Sequence, residues 1–231
     1  MQEKLELLLK KYSVPTKAVL SSDGKTVMIN GESFPILPWE AERRFIEMRG
    51  LVTGGRVGSM CTYRIGHTAA ENTDLFELLR REIGILEFTL DSDVCEIFAI
   101  AGQHTMNCIA ETKNGCVCTV ELAATLENEI EAVDKHEIIT DNGVACDRAV
   151  DTQVPQSSIY VFGKNQTTYR DTDAELYGCS EEEIHRIRYA FSLAKSEEAR
   201  KAAKEKARHS DAVIDAAKQS LATLENRKVG E

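Results

Sequence analysis

Apolar and polar positions alternate with a period of two through the middle of the chain. At either side they recur at helical spacing. In 57–65, Val57, Cys61, Tyr63 and Ile65 fall on one face and Met60, Thr62 and Arg64 on the other. Residues 94–100 form a more continuously apolar run. Two further pairs of runs, 106–112 with 116–123 and 130–139 with 144–149, flank Lys113-Asn114-Gly115 and Asp141-Asn142-Gly143. Asn-Gly suits a type I′ hairpin, whose two central residues need positive φ. With 158–162 this makes about six strands joined by tight turns, so the sheet is expected to be mainly antiparallel. Asp23-Gly24 predicts a small hairpin between 17–20 and 26–29.

Helical periodicity marks the rest. Leu5, Leu8 and Leu9 share one face near the start. Leu75, Leu78, Leu79, Ile83, Leu86 and Leu90 form a stripe over 74–90, opened by Asp74 with Glu77 as a capping box. Ser180 and Glu183 form a second box, followed by Ile184, Ile187 and Phe191. Residues 195–208 read as a solvated helix, and 211–224 as a last helix with Val213, Ala217, Leu221 and Leu224 on its face. The expected fold is α+β, a mostly antiparallel open sheet with helices on one face. Residues 1–40 read as an extension of helix and hairpin, and 41–231 as the main domain.

The 231 residues carry 28 Lys+Arg against 38 Asp+Glu, net −10. An acidic chain is a poor partner for nucleic acid or an anionic membrane. No apolar run approaches the ~20 residues that span a bilayer, and Met1-Gln2-Glu3-Lys4 does not read as a secretory signal. Seven cysteines without disulfide-like spacing fit a reducing cytoplasm.

Chemistry motifs are sparse. Gly54-Gly55-Arg56-Val57-Gly58 precedes a strand and not a helix, so its amides do not converge on a pyrophosphate. There is no P-loop, no nucleophile elbow and no H-E-x-x-H. Cys116 and Cys118 share a strand face, with Cys108 across the hairpin. Zinc normally takes C-x-x-C knuckles in loops, so these read as core and no metal site is expected. His104, His136, His185 and His209 are scattered singly and read as surface or rim. Arg64 and His67 close a strand, where a site can form. Glu82 and Glu87 lie on the 74–90 helix, Glu82 as a solvated flank. These four are the candidate ligand-binding residues, and no catalytic residue is assigned.

The order of features resembles the C-terminal domain of the Gfo/Idh/MocA oxidoreductases. The likeness runs from Ala41-Glu42-Arg43-Arg44-Phe45-Ile46 through Leu51–Gly58 and Arg64-Ile65-Gly66-His67. It continues through the 74–90 helix, the Asn114-Gly115 hairpin, Glu175-Leu176-Tyr177-Gly178 and the final Ala216–Ser220. The resemblance implies a substrate and oligomerisation domain of a sugar or polyol dehydrogenase. The family's Rossmann half is missing, with at most residues 1–20 as its remnant. The family's Glu-Lys-Pro has no counterpart. Its Asp-x-Gly-x-His is matched by Glu82-Ile83-Gly84-Ile85-Leu86, where leucine cannot exchange a proton.

Two functions follow as expectations. One is a non-catalytic oligomerisation, accessory or sugar-binding subunit. It would form a homodimer through the outer sheet face or a heteromer with a full-length dehydrogenase. The other is a cofactor-free isomerase or lyase using Arg64, His67 and Glu82 or Glu87, or a subunit completing an NAD(P) site with a partner. No cofactor is expected for the isolated chain.

Overall fold

The computed structural model describes residues 1–56, 58–127, 130–147, 158–162, 167–170 and 178–230. Its centre is a nine-stranded sheet in the order β11-β10-β9-β8-β4-β7-β6-β5-β12. β4 (Met60–Ala70) runs through the middle and is followed by helix α3 (Leu75–Leu90). Then come β5 (Val94–Ala101), β6 (Thr105–Thr112), β7 (Val117–Leu126), β8 (Val133–Thr140) and β9 (Gly143–Cys146). β10 (Ser158–Phe162), β11 (Thr167–Arg170) and the two-residue β12 (Arg227–Lys228) complete the edges. All neighbours are antiparallel except β4 and β7, which pair in parallel from Thr62↔Val117 onward.

The α+β fold is therefore as expected, with nine strands in this sheet where the turns alone indicated six. Both hairpins form. Their geometry differs from the type I′ expectation at Asn114. Gly115 (φ +82°) is left-handed, Asn114 is not, and the Gly115 N–H donates to Thr112 O. That is a three-residue loop closed by a glycine. Residues 175–177, part of the family-like run, lie outside the described residues.

Helices cover one face. β4 turns Tyr63, Ile65, His67 and Ala69 inward, and β7 does the same with Cys118, Val120 and Leu122. They meet α2 (Arg43–Thr53) through Phe45, Met48 and Leu51, and α3 through Leu79, Ile83 and Leu86. α5 (Glu197–Thr223) adds Val213, Ile214 and Ala217. Each large side chain sealed here is worth about 1.5–3 kcal/mol relative to exposure. On the other face Ile100, Ile109 and Val117 are about half exposed, 52%, 50% and 48%.

A second core lies beside this one. It joins α1 (Gln2–Lys11), the antiparallel β1 (Ala18–Leu20), β2 (Thr26–Ile29) and β3 (Glu32–Pro35), and α4 (Glu181–Lys195). Asn30 (φ +53°) and Gly31 (φ +85°) make the type I′ turn between β2 and β3. The two expected C-terminal helices are one: α5 runs unbroken for 27 residues. Its polar first half is not simply solvated, because Ala203 is buried in the second core and Lys204 lies over the Phe34 ring. The Ser180–Glu183 box forms as expected, whereas Asp74 caps α3 through the Phe76 N–H without a reciprocal Glu77 contact.

Candidate functional site: a buried charge chain under a cleft

The strand alternation decides which candidates meet. His67 sits on the inward face of β4, beneath α3. Arg64 is three residues earlier and so faces the opposite side, where it is 57% exposed and 3.5 Å from Glu137. The expected Arg64–His67 pairing is thus not made.

Glu82 is not a solvated flank. It is fully buried on the sheet side of α3, 2.6 Å from His67 Nδ1 and 2.8 Å from His136 Nε2. His136 lies on the inward face of β8, paired beside Ile65, and is fully buried as well. Its Nδ1 is 2.6 Å from Asp147 Oδ2, and its backbone N–H donates to Asp147 Oδ1 at 2.7 Å. A continuous chain therefore runs His67–Glu82–His136–Asp147.

Two guanidiniums clamp it. Arg44, at the start of α2, makes a two-pronged contact with Asp134 at 2.8 Å on both oxygens and reaches Asp147 at 2.9 Å and Glu42. Arg81 joins Glu82 to Asp134. Asp134 is the residue directly opposite His67 in the β4–β8 pair.

The electrostatics follow from these contacts. Burial alone would drive the Glu82 carboxyl up, but Arg81 and His136 outweigh it and hold it well below the ordinary carboxylate range. Burial would neutralise His136, but Asp147 and Glu82 raise it to about 10. It is a buried imidazolium with a carboxylate on each nitrogen. The Asp134 carboxyl is likewise held low, by Arg44 against its burial.

His67 is different. Its Nδ1 faces the Glu82 carboxylate, with Arg81 Nη1 at 3.4 Å, and a proton held there makes Nε2 the acceptor. The ring is 7% exposed and lines a cleft of about 1150 Å³ bounded by α3, the Pro38–Ala41 turn of 3₁₀ helix, the start of α4 and the middle of α5 around Lys206–Asp211. Gly84 is required here. A Cβ would meet the Trp39 indole at 2.5 Å, so the ring rests directly on α3. Leu86, at the family histidine's position, is fully buried in the core.

Glu87 lies on the cleft wall but outside the chain. It accepts the Val94 N–H at 2.9 Å and stands 2.9 Å from His209 Nε2. Of the histidines read as surface or rim, His136 and His185 are buried, whereas His104 is exposed.

Among the described residues three groups have metal-like spacing: His67/Glu82/Asp134, Asp134/His136/Asp147 and Glu87/Asp93/His209. In each, a protein cation already holds a carboxylate: Arg81, Arg44, and Lys113 at 2.6 Å from Asp93. Cys116 and Cys118 stand 3.6 Å apart in the core, and burial pushes the Cys108 thiol up to about 12, away from the thiolate a metal needs. No described helix is long and apolar enough to cross a membrane.

Structures similar in fold to this chain include several oxidoreductases. Levoglucosan dehydrogenase in complex with NADH and L-sorbose superposes with a TM-score of 0.68 at 11% identity. An NAD binding oxidoreductase from Klebsiella pneumoniae gives 0.66 at 12%, and an oxidoreductase domain protein from Kribbella flavida 0.63 at 10%. Each match covers 84% of this chain and 65% of the other, so the chain spans just under two thirds of their length. At these identities the likeness is one of fold. No family model matches the sequence, and no curated protein does.

Proposed function

We propose that this chain binds a sugar or polyol in the cleft and carries out cofactor-free acid–base chemistry on the sugar's open-chain carbonyl form, of the isomerase or lyase type. The observation that carries this reading is the 2.6 Å contact of His67 Nδ1 with Glu82, on a ring that lines the cleft. His67 takes a proton from the carbon next to the carbonyl and returns it to a neighbouring atom. Glu82, kept ionised by Arg81 and His136, steadies the imidazolium between the two steps. Arg64 has no part in it.

The residues do not fit a nicotinamide dinucleotide. Every Lys and Arg lining the cleft among the described residues already touches a carboxylate. The α-helix start at its rim among the described residues, that of α4, carries Glu181 and Glu182, which oppose a pyrophosphate. NAD(P), where it takes part, comes with a second chain.

The test is carbon-bound deuterium uptake in heavy water, followed by NMR across a panel of aldoses, ketoses and polyols. At least one ketose or aldose should exchange, and His67→Gln should keep its binding within threefold while losing exchange. A panel that neither binds nor exchanges sinks the reading.

A second reading is an accessory subunit that dimerises, or joins a full-length oxidoreductase, through the outer sheet face. It is favoured by Ile100, Ile109 and Val117, which expose apolar area on three adjacent strands. Light scattering of the chain, alone and mixed with such an enzyme, tests it. A monomer in both cases removes it.

A further inference from the structure

The cleft walls hold seven Lys and Arg side chains against eleven Asp and Glu among the described residues. None of the seven is free. Arg49 is 2.6 Å from Asp91, Arg80 is 2.6 Å from Asp211, and Lys206 is 2.6 Å from Glu40. Arg44, Arg81 and Arg186 are paired in the same way, and Lys25 stands 3.7 Å from Glu77 at the exposed rim. An incoming phosphate or carboxylate would have to break an existing ion pair and would enter a field of excess negative charge.

The aromatic surfaces point the same way. Phe88 is already covered, by the Arg49 guanidinium at 4.9 Å and the Lys206 ammonium at 5.9 Å. Trp39 is half-buried, its indole laid against Gly84 two residues along α3 from Glu82. It presents a flat apolar surface on the same cleft that His67 lines.

Building on the sugar reading above, we infer that the cleft selects uncharged or amine-bearing sugars, stacked on Trp39, and rejects sugar phosphates and sugar acids. Carboxylates outnumber cations, which favours an ammonium substituent. The paired guanidiniums leave nothing for an anionic one.

Trp39 is the single tryptophan of the chain, so its fluorescence reports occupancy of the cleft directly. The experiment titrates the full chain with matched sets: D-glucose, D-glucosamine, D-glucuronate and D-glucose 6-phosphate, and the corresponding galactose and mannose sets. In at least one set the neutral or amino sugar should bind ten times more tightly than its phosphate and its acid. A phosphate or acid that binds as well as its neutral partner overturns the selectivity and leaves the sugar reading standing. Failure of every set to bind removes both.

A second arm tests the cause. Asp91 has φ +51°, a backbone that asparagine accepts readily, and its side chain is exposed. Asp91→Asn removes the charge that neutralises Arg49, which keeps its 3.0 Å bond to Phe88 O, and buries nothing new. Affinity for D-glucose 6-phosphate should rise at least threefold, with D-glucose unchanged. An unchanged phosphate affinity would show that the pairing is not what excludes anions.

Discussion

His136 Nε2 lies 2.8 Å from Glu82 Oε2, and neither side chain reaches solvent. The pair ties β8 to α3 and holds the carboxylate that in turn orients His67. The proposed chemistry and the stability of the fold therefore share one buried contact and must be separated by choosing the variant.

His67→Gln removes the base at the end of the chain, where the ring borders the cleft. Turnover of a responsive sugar should fall about 10²- to 10⁴-fold. The melting temperature should move by only a few degrees, since Gln can still donate to Glu82. NMR-detected exchange and calorimetric melting together check this. Unchanged exchange would remove His67 from the chemistry.

His136→Leu leaves Glu82 and Asp147 without their shared cation. Breaking a buried pair in this way costs about 3–5 kcal/mol. In a domain of this size that amounts to about 10 °C in melting temperature. A loss under 3 °C would mean that the Arg44 and Arg81 clamps suffice alone.

The same residue sets the pH window. His136 is raised from 6.5 to about 10, so its contribution is full below 6.5 and fades as pH climbs towards 10. Glu82 and Asp134 are depressed, so theirs is full above their ordinary values of 4.5 and 3.8 and is lost as pH falls. Stability should peak between about pH 4.5 and 6.5. Denaturant unfolding measured from pH 4 to 10 should show this maximum, and a maximum above pH 8 would contradict the imidazolium.

Gly84→Ala should destabilise, although alanine is the better helix former by about 1 kcal/mol. The new Cβ would meet Trp39 at 2.5 Å, an overpacking cost of about 1–3 kcal/mol. Adding Trp39→Leu should recover the loss. If the double variant is no more stable than Gly84→Ala, the close approach is not the cause.

Ile109→Lys places a charge in the middle of the exposed Ile100–Ile109–Val117 patch, where Ile109 is paired with Phe98 and Thr119. It should leave the melting temperature within 2–3 °C, because exposed positions contribute little. If the face is an interface, sedimentation velocity should show a dimer converted to monomer.

Much of the frame was legible because its signals are local. The stripe from Leu75 to Leu90 and the glycine turns at 115 and 143 each declare themselves within a few residues. Asn30-Gly31 carries the same signal and marks the β2–β3 turn, the one true type I′ connection among these. The parallel β4–β7 pair and the two-residue β12 leave no local trace. The site was half legible. His67 and Glu82 stood out by type, but Glu82 reads as solvated until Arg81, His136 and Asp134 are brought to it. The last two arrive from more than 50 residues away. Arg64 was separable by parity alone, as it alternates with Tyr63 and Ile65.

The position of β4 carries a consequence for how the protein is made. Its partners β7 and β8 follow much later in the chain; Thr62 bonds Val117 across 55 residues. β5, β6 and β7 close on one another through short turns and can form first, whereas β4 waits for a long loop to close. Pulse-labelled hydrogen exchange should protect β6 amides before those of β4. His67 arrives with that strand, so a chain holding only its meander has no acid–base pair. On the acid–base reading proposed above, chemical competence would then appear only once β4 has docked, late in folding.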